Sequence, residues 1–346
     1  MAYQDEVKYK LTLKLRDMLS ELPNFCREFF LSIADSNEIR TRVAYAYDLR
    51  IFFNFLVEEC SEFSGKKVKE LTIEDLKNVT ATCINEFMSY TEYYINPEGE
   101  EKSNSENGKS RKLAAIRSFF KYFYKIEKIP GNPAELVNKP KIHEKQIIRL
   151  EPNETAELLD IIEKGEKLTQ GEKRCYNRNG KRDLAIVTLL LGTGIRVSEC
   201  VGIDIDDVDF EINGVKIVRK GGNEMVVYFG DEVESALKNY IEERKKIEPK
   251  SGSENALFLS MQNKRIGVRS VENLVKKYDQ KVNVLKKITP HKLRSTYGTT
   301  LYNETGDIYL VADVLGHKDV NTTRKHYAQM QDENRRKAAR AVKLRD

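Results

Sequence analysis

The segment "LLLGTGIRVSEC", residues 189–200, places an arginine directly after the most apolar run of the chain. That run, residues 184–191, predicts a buried helix, and the two glycines that follow it predict the end of the helix. Arginine is almost never fully buried without a partner. Two interpretations of Arg196 therefore stand: it pairs with a nearby carboxylate such as Glu199, or it faces an anionic ligand.

Length and charge indicate two domains and a polyanionic partner. A chain of 346 residues exceeds the roughly 250–300 residues at which single cores stop growing. The net charge is only +5, but residues 109–128 contain seven Lys or Arg against one acid, and residues 264–294 contain ten against two. Such blocks favour a polyanion as partner, and the alternative is a solvated helix face.

Cysteine usage and the first residues point to a cytoplasmic protein. The five cysteines are scattered without a Cys-x-x-Cys pair, so the sequence indicates neither a disulfide framework nor a zinc site. The opening "MAYQDEVKYK" lacks a basic head followed by an apolar stretch. No run approaches the roughly 18 apolar residues of a membrane span.

The first part of the chain has helical patterns. Residues 35–60, 73–95 and 111–128 carry apolar residues at helical spacing. Residues 99–110 are polar and rich in Gly, Ser and Asn, which predicts a loop. Residues 130–150 contain three prolines and no sustained period, so we expect an extended linker there.

The second part mixes helices with one hairpin. A capped helix is expected at residues 151–165, followed by a polar insertion at 166–181 and then the apolar helix. Two β-branched runs around Gly-Gly-Asn in residues 214–230 predict a β-hairpin, the only convincing strand region. The acidic run "DIDDVDFE", residues 204–211, is expected to be a solvated connection; metal binding is the alternative.

Histidines and a second arginine occur near the C-terminus. Proline at the first helical position places His291 and Arg294 three residues apart on one face of a helix start, which is a favourable anion site. Further on, an apolar helix ends at a glycine before His317, and Tyr327 lies ten residues later. Each residue alone has an ordinary structural explanation, such as pairing, capping or packing.

Together these motifs resemble a known family. "TGIRVSE" (193–199), "HKLR" (291–294) with its continuation, and "LGHKDVNTT" (315–323) before Tyr327 resemble the signature of the tyrosine recombinases, the integrase family of Xer-type recombinases and phage integrases. The resemblance implies a catalytic set with Glu199 in support: Arg196, Lys220, His291, Arg294, His317 and the nucleophile Tyr327. The hairpin departs from the family's usual Gly-Lys-Gly, so Lys220 is the best candidate and Arg219 the fallback.

The resemblance also implies an architecture. It predicts a mainly α fold with a small antiparallel sheet: a helical, SAM-like core-binding domain at residues 1–140, a linker at 141–148, and an integrase-type, DNA breaking-rejoining catalytic domain with a C-terminal tail at 149–346. In the basic first domain we expect DNA contacts from a group of cationic side chains: Lys109, Arg111, Arg117, Lys121 and Lys125.

The chemistry agrees with this family. Two planar guanidiniums, those of Arg196 and Arg294, suit the charge that develops on an attacked phosphodiester. A tyrosine hydroxyl needs a proton acceptor before it attacks, a role open to His291, while His317 can donate to a phosphate oxygen. Lys220 suits protonation of the departing 5′-oxygen. The scheme needs no metal, cofactor or ATP.

The resemblance implies a site-specific recombinase that acts through a 3′-phosphotyrosyl intermediate and a Holliday junction, as a homo-tetramer on two double-stranded DNA sites. The alternatives are a non-catalytic DNA-organising module and a type IB topoisomerase. The chain leaves no room for a separate arm-site-binding domain, which favours Xer-type dimer resolution or integration of a small mobile element. The tail, residues 329–346, is expected to dock on a neighbouring subunit or to be a basic, solvated end.

Overall fold

The chain divides into two compact units, Met1–Lys145 and Gln146–Asp346. The computed structural model describes residues 3–96, 99–142, 148–219, 221–282, 286–316 and 320. Within these ranges no helix is long and apolar enough to cross a membrane.

In the part of the first unit that the structure describes, the chain forms six helices and a two-stranded hairpin. Short 3-10 turns lie at residues 61–63, 68–70 and 133–135. In chain order the elements are α1 (Tyr3–Glu21), α2 (Cys26–Ser32), α3 (Ile39–Glu59), α4 (Ile73–Lys77), α5 (Ala81–Tyr90), β1 (Tyr93–Ile95), β2 (Glu101–Ser103) and α6 (Glu106–Lys125).

The core of the first unit is built from phenylalanines of α2, α3 and α6. The ring centroids of Phe53 and Phe119 lie 5.7 Å apart, and those of Phe29 and Phe119 lie 5.3 Å apart, both in edge-to-face geometry. Such pairs add about 0.5–1.5 kcal/mol each beyond the burial of their area. The apolar stripe predicted for residues 111–128 is buried in this core.

The prediction of continuous helix over residues 73–95 is wrong. The chain forms α4, then α5, whose first turn is capped by Thr80 accepting from the backbone N–H of Cys83, and then β1. β1 pairs with β2 in antiparallel register, so the predicted loop at 99–110 contains a strand and the start of α6. Pairing with a segment further along the chain overrides the local helical pattern here.

The predicted linker at residues 130–150 belongs in part to the first unit. The 3-10 turn at 133–135 leads into Val137, and both Ala134 and Val137 are buried in the phenylalanine-rich core. The Arg117 side chain of α6 donates hydrogen bonds to the carbonyl oxygens of these two residues. The chain from 130 to about 137 is therefore packed rather than extended into solvent.

The described residues of the second unit form seven helices and a small three-stranded antiparallel sheet of order β3-β4-β5. In chain order its elements are α7 (Pro152–Lys164), α8 (Gln170–Thr193), α9 (Val197–Cys200), β3 (Val208–Asp209), β4 (Gly214–Val218), β5 (Glu224–Tyr228), α10 (Asp231–Arg244), α11 (Val268–Val282), α12 (Pro290–Thr305) and α13 (Ile308–Leu315).

The central helix α8 is longer than predicted. Its apolar second half is buried and packs against α7, α10 and α12. The residues predicted as a polar insertion form its first turns, because Thr169 and Glu172 make a reciprocal capping box at the start of the helix. The helix continues through Gly192 and ends at Gly194, which adopts the left-handed conformation with φ +63°.

A buried carboxylate joins α8 to α11. Asp183 accepts from Arg182 Nη2 at 2.7 Å, from Lys277 Nζ at 3.1 Å and from the Tyr278 hydroxyl at 3.0 Å. Burial and the neighbouring carboxylate raise the pKa of Tyr278, so its hydroxyl remains a proton donor. This network holds α8, the helix that leads to Arg196, against α11.

The predicted hairpin at 214–230 is present as β4 and β5. Val215 pairs with Val227 and Ile217 with Met225. The turn is closed by the backbone N–H of Arg219 donating to Asn223 O at 2.8 Å. Two glycines with positive φ lie in the turn, a conformation that favours glycine.

Candidate active site

Arg196 lies at the start of the short helix α9 and is anchored by Glu199. Its backbone N–H donates to Glu199 Oε2 at 2.7 Å, and its Nη1 donates to Oε1 at 2.8 Å. The Glu199 side chain is 4% exposed, whereas that of Arg196 is 36% exposed. Arg196 Nη2 also donates to Gly316 O at 3.3 Å. The carboxylate-pairing interpretation therefore holds, with a guanidinium that still reaches the surface.

Arg294 lies on α12, and its local helix start agrees with the sequence. Thr289 is the N-cap residue and Pro290 the first helical residue. Arg294 is 4% exposed and donates from Nη1 to Gly194 O at 2.5 Å and from Nη2 to Leu315 O. The helix also carries His291, which is exposed one turn earlier.

Arg219, the last described residue before the hairpin tip, extends to the same place. Its Nη1 donates to Asp313 O at 3.3 Å, and its Nη2 donates to Val314 O at 2.6 Å. The side chain is half-buried, and burial lowers the pKa of its guanidinium. Sequence reasoning had placed Arg219 here only as an alternative to Lys220.

Three guanidiniums thus bind four successive carbonyl groups at the end of α13, those of residues 313–316. The last carbonyls of a helix have no donor within the helix and carry partial negative charge. Cationic donors stabilise that end. The arrangement brings Arg196, Arg219 and Arg294 together although the chain separates them by up to about a hundred residues.

Two glycines make this close packing possible. Gly194 carries the carbonyl bound by Arg294, and a Cβ at this position would overlap Tyr297 and Leu315. Gly316 adopts φ +63°, and a Cβ there would overlap the guanidinium of Arg219. Both positions exclude larger residues, because their conformation and the space around them require glycine.

Several predicted site residues lie outside the described residues: Lys220, His317, Tyr327 and the tail 329–346. Lys220 is the next residue in the chain after Arg219, and His317 is the next after Gly316. Of the six predicted catalytic residues, the structure describes Arg196, His291 and Arg294. Two of these, the arginines, bind adjacent carbonyls of one helix end.

The predicted DNA-binding residues of the first unit have different surroundings. Lys109 pairs with Glu92 at 2.7 Å, and Arg111 pairs with the buried Asp48 at 2.6 Å. Arg117 holds the carbonyls of the turn after α6. Two further lysines in the same basic block are exposed, and their side chains make no ion pair or hydrogen bond within the described part of the chain: Lys121 and Lys125.

Potential metal ligands converge at one place in the described ranges. Cys60, Cys83 and Glu86 have ligand atoms within 4.8 Å of one another, and the two sulfurs are 3.1 Å apart. Burial raises the pKa of the Cys83 thiol, which disfavours the thiolate that a metal needs. Structural zinc sites use four ligands, so this group of three does not fit one.

The acidic run at 204–211 is engaged with cations of the protein. Asp207 pairs with Lys216 at 3.3 Å, and Asp204 pairs with Arg265. Asp204 and Asp207 also close a capping box around a 3-10 turn. These carboxylates connect the sheet to its surroundings.

Comparison with known proteins decides the family. Residues 149–334 match the family model described as the phage integrase family. The chain belongs to this family of tyrosine recombinases. The recombinase is 32% identical over 341 residues to "Tyrosine recombinase XerC" of Caldanaerobacter subterraneus, covering 96% of this chain and 88% of the relative. It is 31% identical to "Tyrosine recombinase XerS" of Streptococcus agalactiae, covering 92% of this chain and 95% of the relative.

Solved structures share the fold of the recombinase. The XerH site-specific recombinase bound to palindromic difH substrate matches with a TM-score of 0.66 at 20% identity, covering 97% of this chain and 93% of that one. The Tn1549 transposon integrase in complex with circular intermediate DNA matches with a TM-score of 0.60 at 21% identity, covering 87% and 94%. The predicted family, the mainly α fold class and the DNA breaking-rejoining enzyme class are confirmed.

Sequence reasoning missed how the end of α13 organises the site. It named the arginines but not the carbonyl oxygens of residues 313–316 that bring them together. The only available signal was an apolar helix ending at Gly316, since such an end leaves acceptors without intrahelical donors.

Proposed function

We propose that this recombinase cuts and rejoins duplex DNA at a specific site, with Arg196 and Arg294 binding the scissile phosphate and Tyr327 forming a 3′-phosphotyrosyl bond. The observation that carries the proposal is the anchoring of both guanidiniums at one helix end. Fixed donors stabilise developing charge without reorganising during the reaction.

Arg196 is suited to hold a phosphate oxygen. A guanidinium has five N–H donors, and the two hydrogen bonds from the Arg196 side chain to Glu199 and Gly316 leave part of its fork facing outward. Its side chain is 36% exposed, so DNA can reach it. Bidentate contact with phosphate is the geometry for which arginine is better suited than lysine.

The remaining steps are assigned to Lys220, His291, His317 and Tyr327. The Tyr327 hydroxyl loses its proton as its oxygen bonds to phosphorus, and the bond to the 5′-oxygen breaks. His291 accepts that proton or supports the phosphate, and His317 donates to a phosphate oxygen. Lys220 protonates the departing 5′-oxygen as general acid. Attack by the freed 5′-hydroxyl of a second DNA strand reverses the step and leads to a Holliday junction.

We propose that the DNA-facing surface of the first unit lies on α6, with Lys121 and Lys125 as its exposed charges. Long-range attraction of phosphates by such charges depends on salt. Lys109 and Arg111 lie on the same helix with acidic partners, and phosphate contacts by these two would compete with those partners. The domain boundaries proposed from sequence, 1–140, 141–148 and 149–346, assign this surface to a core-binding domain.

Tyr327→Phe tests the chemistry. We expect it to bind target DNA normally and to form no covalent adduct, because only the attacking oxygen is removed. Lys220→Ala should regain cleavage on DNA whose 5′-bridging oxygen is replaced by sulfur, a leaving group that needs little protonation. A covalent adduct with Tyr327→Phe would overturn the assignment of the nucleophile.

The same assay separates the alternative functions. Relaxation of any supercoiled plasmid, without dependence on sequence, would favour a topoisomerase. Binding without any adduct in the unmodified protein would favour a DNA-organising module. Selecting bound DNA from a random pool identifies the target site.

We further propose a homo-tetramer on paired sites in the cytoplasm, acting in Xer-type resolution of DNA dimers. The extent of similarity to proteins named XerC and XerS supports this role over integration of a mobile element. Ending the chain after Gln331 tests the assembly. If the tail docks on a neighbouring subunit, the truncated protein should bind single sites, pair sites poorly and disturb the order of strand cleavage. Normal pairing and normal junction resolution would refute docking.

A further inference from the structure

We propose that Arg219 is a positioning residue that locks the β4–β5 hairpin to the C-terminal end of α13, so that the segments leading to Lys220 and to His317 approach the phosphate together. This inference rests on the proposed function of Lys220 and His317. It gives Arg219 a role distinct from proton transfer.

The contacts of Arg219 form a two-point attachment. One Nη donates to Asp313 O at 3.3 Å and the other to Val314 O at 2.6 Å, so the planar guanidinium spans two successive carbonyls. Arg219 begins the hairpin turn through its own backbone bonds to residues 222 and 223. The guanidinium therefore links the end of a strand to the end of a helix about ninety residues later in the chain.

The packing around Gly316 makes the attachment specific. A Cβ at Gly316 would overlap the Arg219 guanidinium, so the glycine leaves the space that the arginine occupies. Arg196 and Arg294 bind the next two carbonyls, those of Gly316 and Leu315. Arg219 thus holds the same helix end that the two proposed phosphate-binding arginines contact.

The position of Arg219 is unfavourable for an arginine that serves stability alone. Its Nε is buried and, among the described residues, has no hydrogen-bond partner. A buried donor without a partner is a net cost to folding. The two charge-assisted hydrogen bonds from Arg219 to the end of α13 offset part of this cost. The positioning of catalytic segments explains why an arginine occupies this position.

Arg219 is also a poor general acid. Arginine stays protonated at all ordinary pH values, and both of its terminal nitrogens already donate to carbonyls. Lys220, one peptide bond away, has an ammonium group whose pKa shifts readily and can lose a proton. Arg219 therefore holds the backbone in place while Lys220 supplies the proton.

The test compares Arg219→Ala, Arg219→Lys and Lys220→Ala on ordinary DNA and on DNA with a 5′-bridging sulfur. We expect Arg219→Ala to bind DNA within about twofold of the unmodified protein and to form adduct at least about tenfold more slowly. Sulfur should rescue Lys220→Ala fully and Arg219→Ala only in part, because Arg219→Ala misplaces the segment leading to His317 as well as the one leading to Lys220. Arg219→Lys should be intermediate, since one ammonium binds one carbonyl.

A second set of variants makes the result independent of folding. Gly316→Ala should slow adduct formation in the unmodified background and have a smaller effect together with Arg219→Ala, because the overlapping side chain is then absent. Arg174→Ala, which removes an exposed charge from α8, is the matched control. Thermal unfolding of every variant identifies any loss of fold.

Three outcomes would contradict the positioning role of Arg219. Full rescue of Arg219→Ala by sulfur would mean that Arg219 serves the protonation step alone and does not align the segment leading to His317, and unchanged adduct formation would remove any positioning role. Independent effects of the Gly316 and Arg219 substitutions would also contradict the proposal. If instead Tyr327→Phe still forms adduct, the proposed chemistry fails, and that failure is visible without any Arg219 variant.

Discussion

Glu199→Gln replaces a buried carboxylate at the candidate site by an amide of the same size. Both carboxylate oxygens accept from Arg196: one from its backbone N–H at 2.7 Å and one from Nη1 at 2.8 Å. An amide has one acceptor oxygen, so its NH₂ group must face one of these two donors. The substitution keeps one hydrogen bond and converts the other into a repulsive contact.

The expected cost is about 2 kcal/mol. A hydrogen bond to a charged group is worth about 1.5–3 kcal/mol. We take the lower part of that range because the Arg196 side chain is 36% exposed to water. For a domain of about 150–250 residues, 1 kcal/mol shifts the melting temperature by about 2–4 °C, so the second unit should melt about 4–8 °C lower. Loss of the whole anchoring energy would slow cleavage by up to about 30-fold.

The assay measures thermal unfolding and the rate of covalent adduct formation at saturating DNA. Glu242→Gln is the control, because Glu242 is exposed and pairs with Lys245 at 3.0 Å on the surface of α10. Exposed pairs of this kind contribute at most about 0.5 kcal/mol. If Glu199→Gln melts and cleaves like Glu242→Gln, Glu199 does not anchor Arg196. A lower melting temperature with an unchanged cleavage rate would mean that DNA positions Arg196 by itself.

Replacing Lys121 and Lys125 together by alanine should flatten the slope of log affinity against log salt by up to about two units. Each phosphate contact releases condensed counterions from the DNA, so losing two contacts reduces the number of counterions released. The control replaces Lys10 and Lys77, which are exposed and paired with glutamates, by alanine; this removes the same charge and should leave the slope unchanged. Equal slopes in the unmodified protein and both double variants would mean that α6 faces away from DNA. The hydrogen bond from the backbone of Thr169 lowers the pKa of Glu172 to about 2. The stabilisation from Glu172 is therefore complete above about pH 4.3 and is lost as the pH falls towards 2, so the difference in melting temperature between the unmodified protein and Glu172→Gln should be largest near pH 7 and shrink below pH 4. A difference that is constant with pH would contradict this reasoning.

Features encoded by neighbouring residues could be predicted from the sequence. Thr289 and Pro290 start α12 as expected, and Gly316 ends α13 in the left-handed conformation. Capping and turn geometry depend on a few adjacent side chains, so they can be recognised without a fold. The order of the short motifs around Arg196 and Arg294 was likewise sufficient for the family and its enzyme class.

Other local patterns were overruled by partners elsewhere in the chain. The segment at 93–95 became a strand because residues 101–103 pair with it, and Arg117 turned towards the carbonyls of a packed turn. A pattern of charge or periodicity indicates which conformation or contact a residue favours. It does not identify the distant part of the chain that pairs with the residue instead. The assignment of Arg117 to DNA was therefore beyond what charge alone could establish.

The sequence by itself determined the family, and it predicts which side chains carry the chemistry, because guanidiniums, imidazoles and a tyrosine in this order have few other uses. Only the tertiary structure decided where the arginines meet. Arg196, Arg219 and Arg294 come from three separate elements and converge on the carbonyl oxygens at the end of α13. These residues converge because helices from distant parts of the chain pack around α8. Local periodicity does not encode such packing.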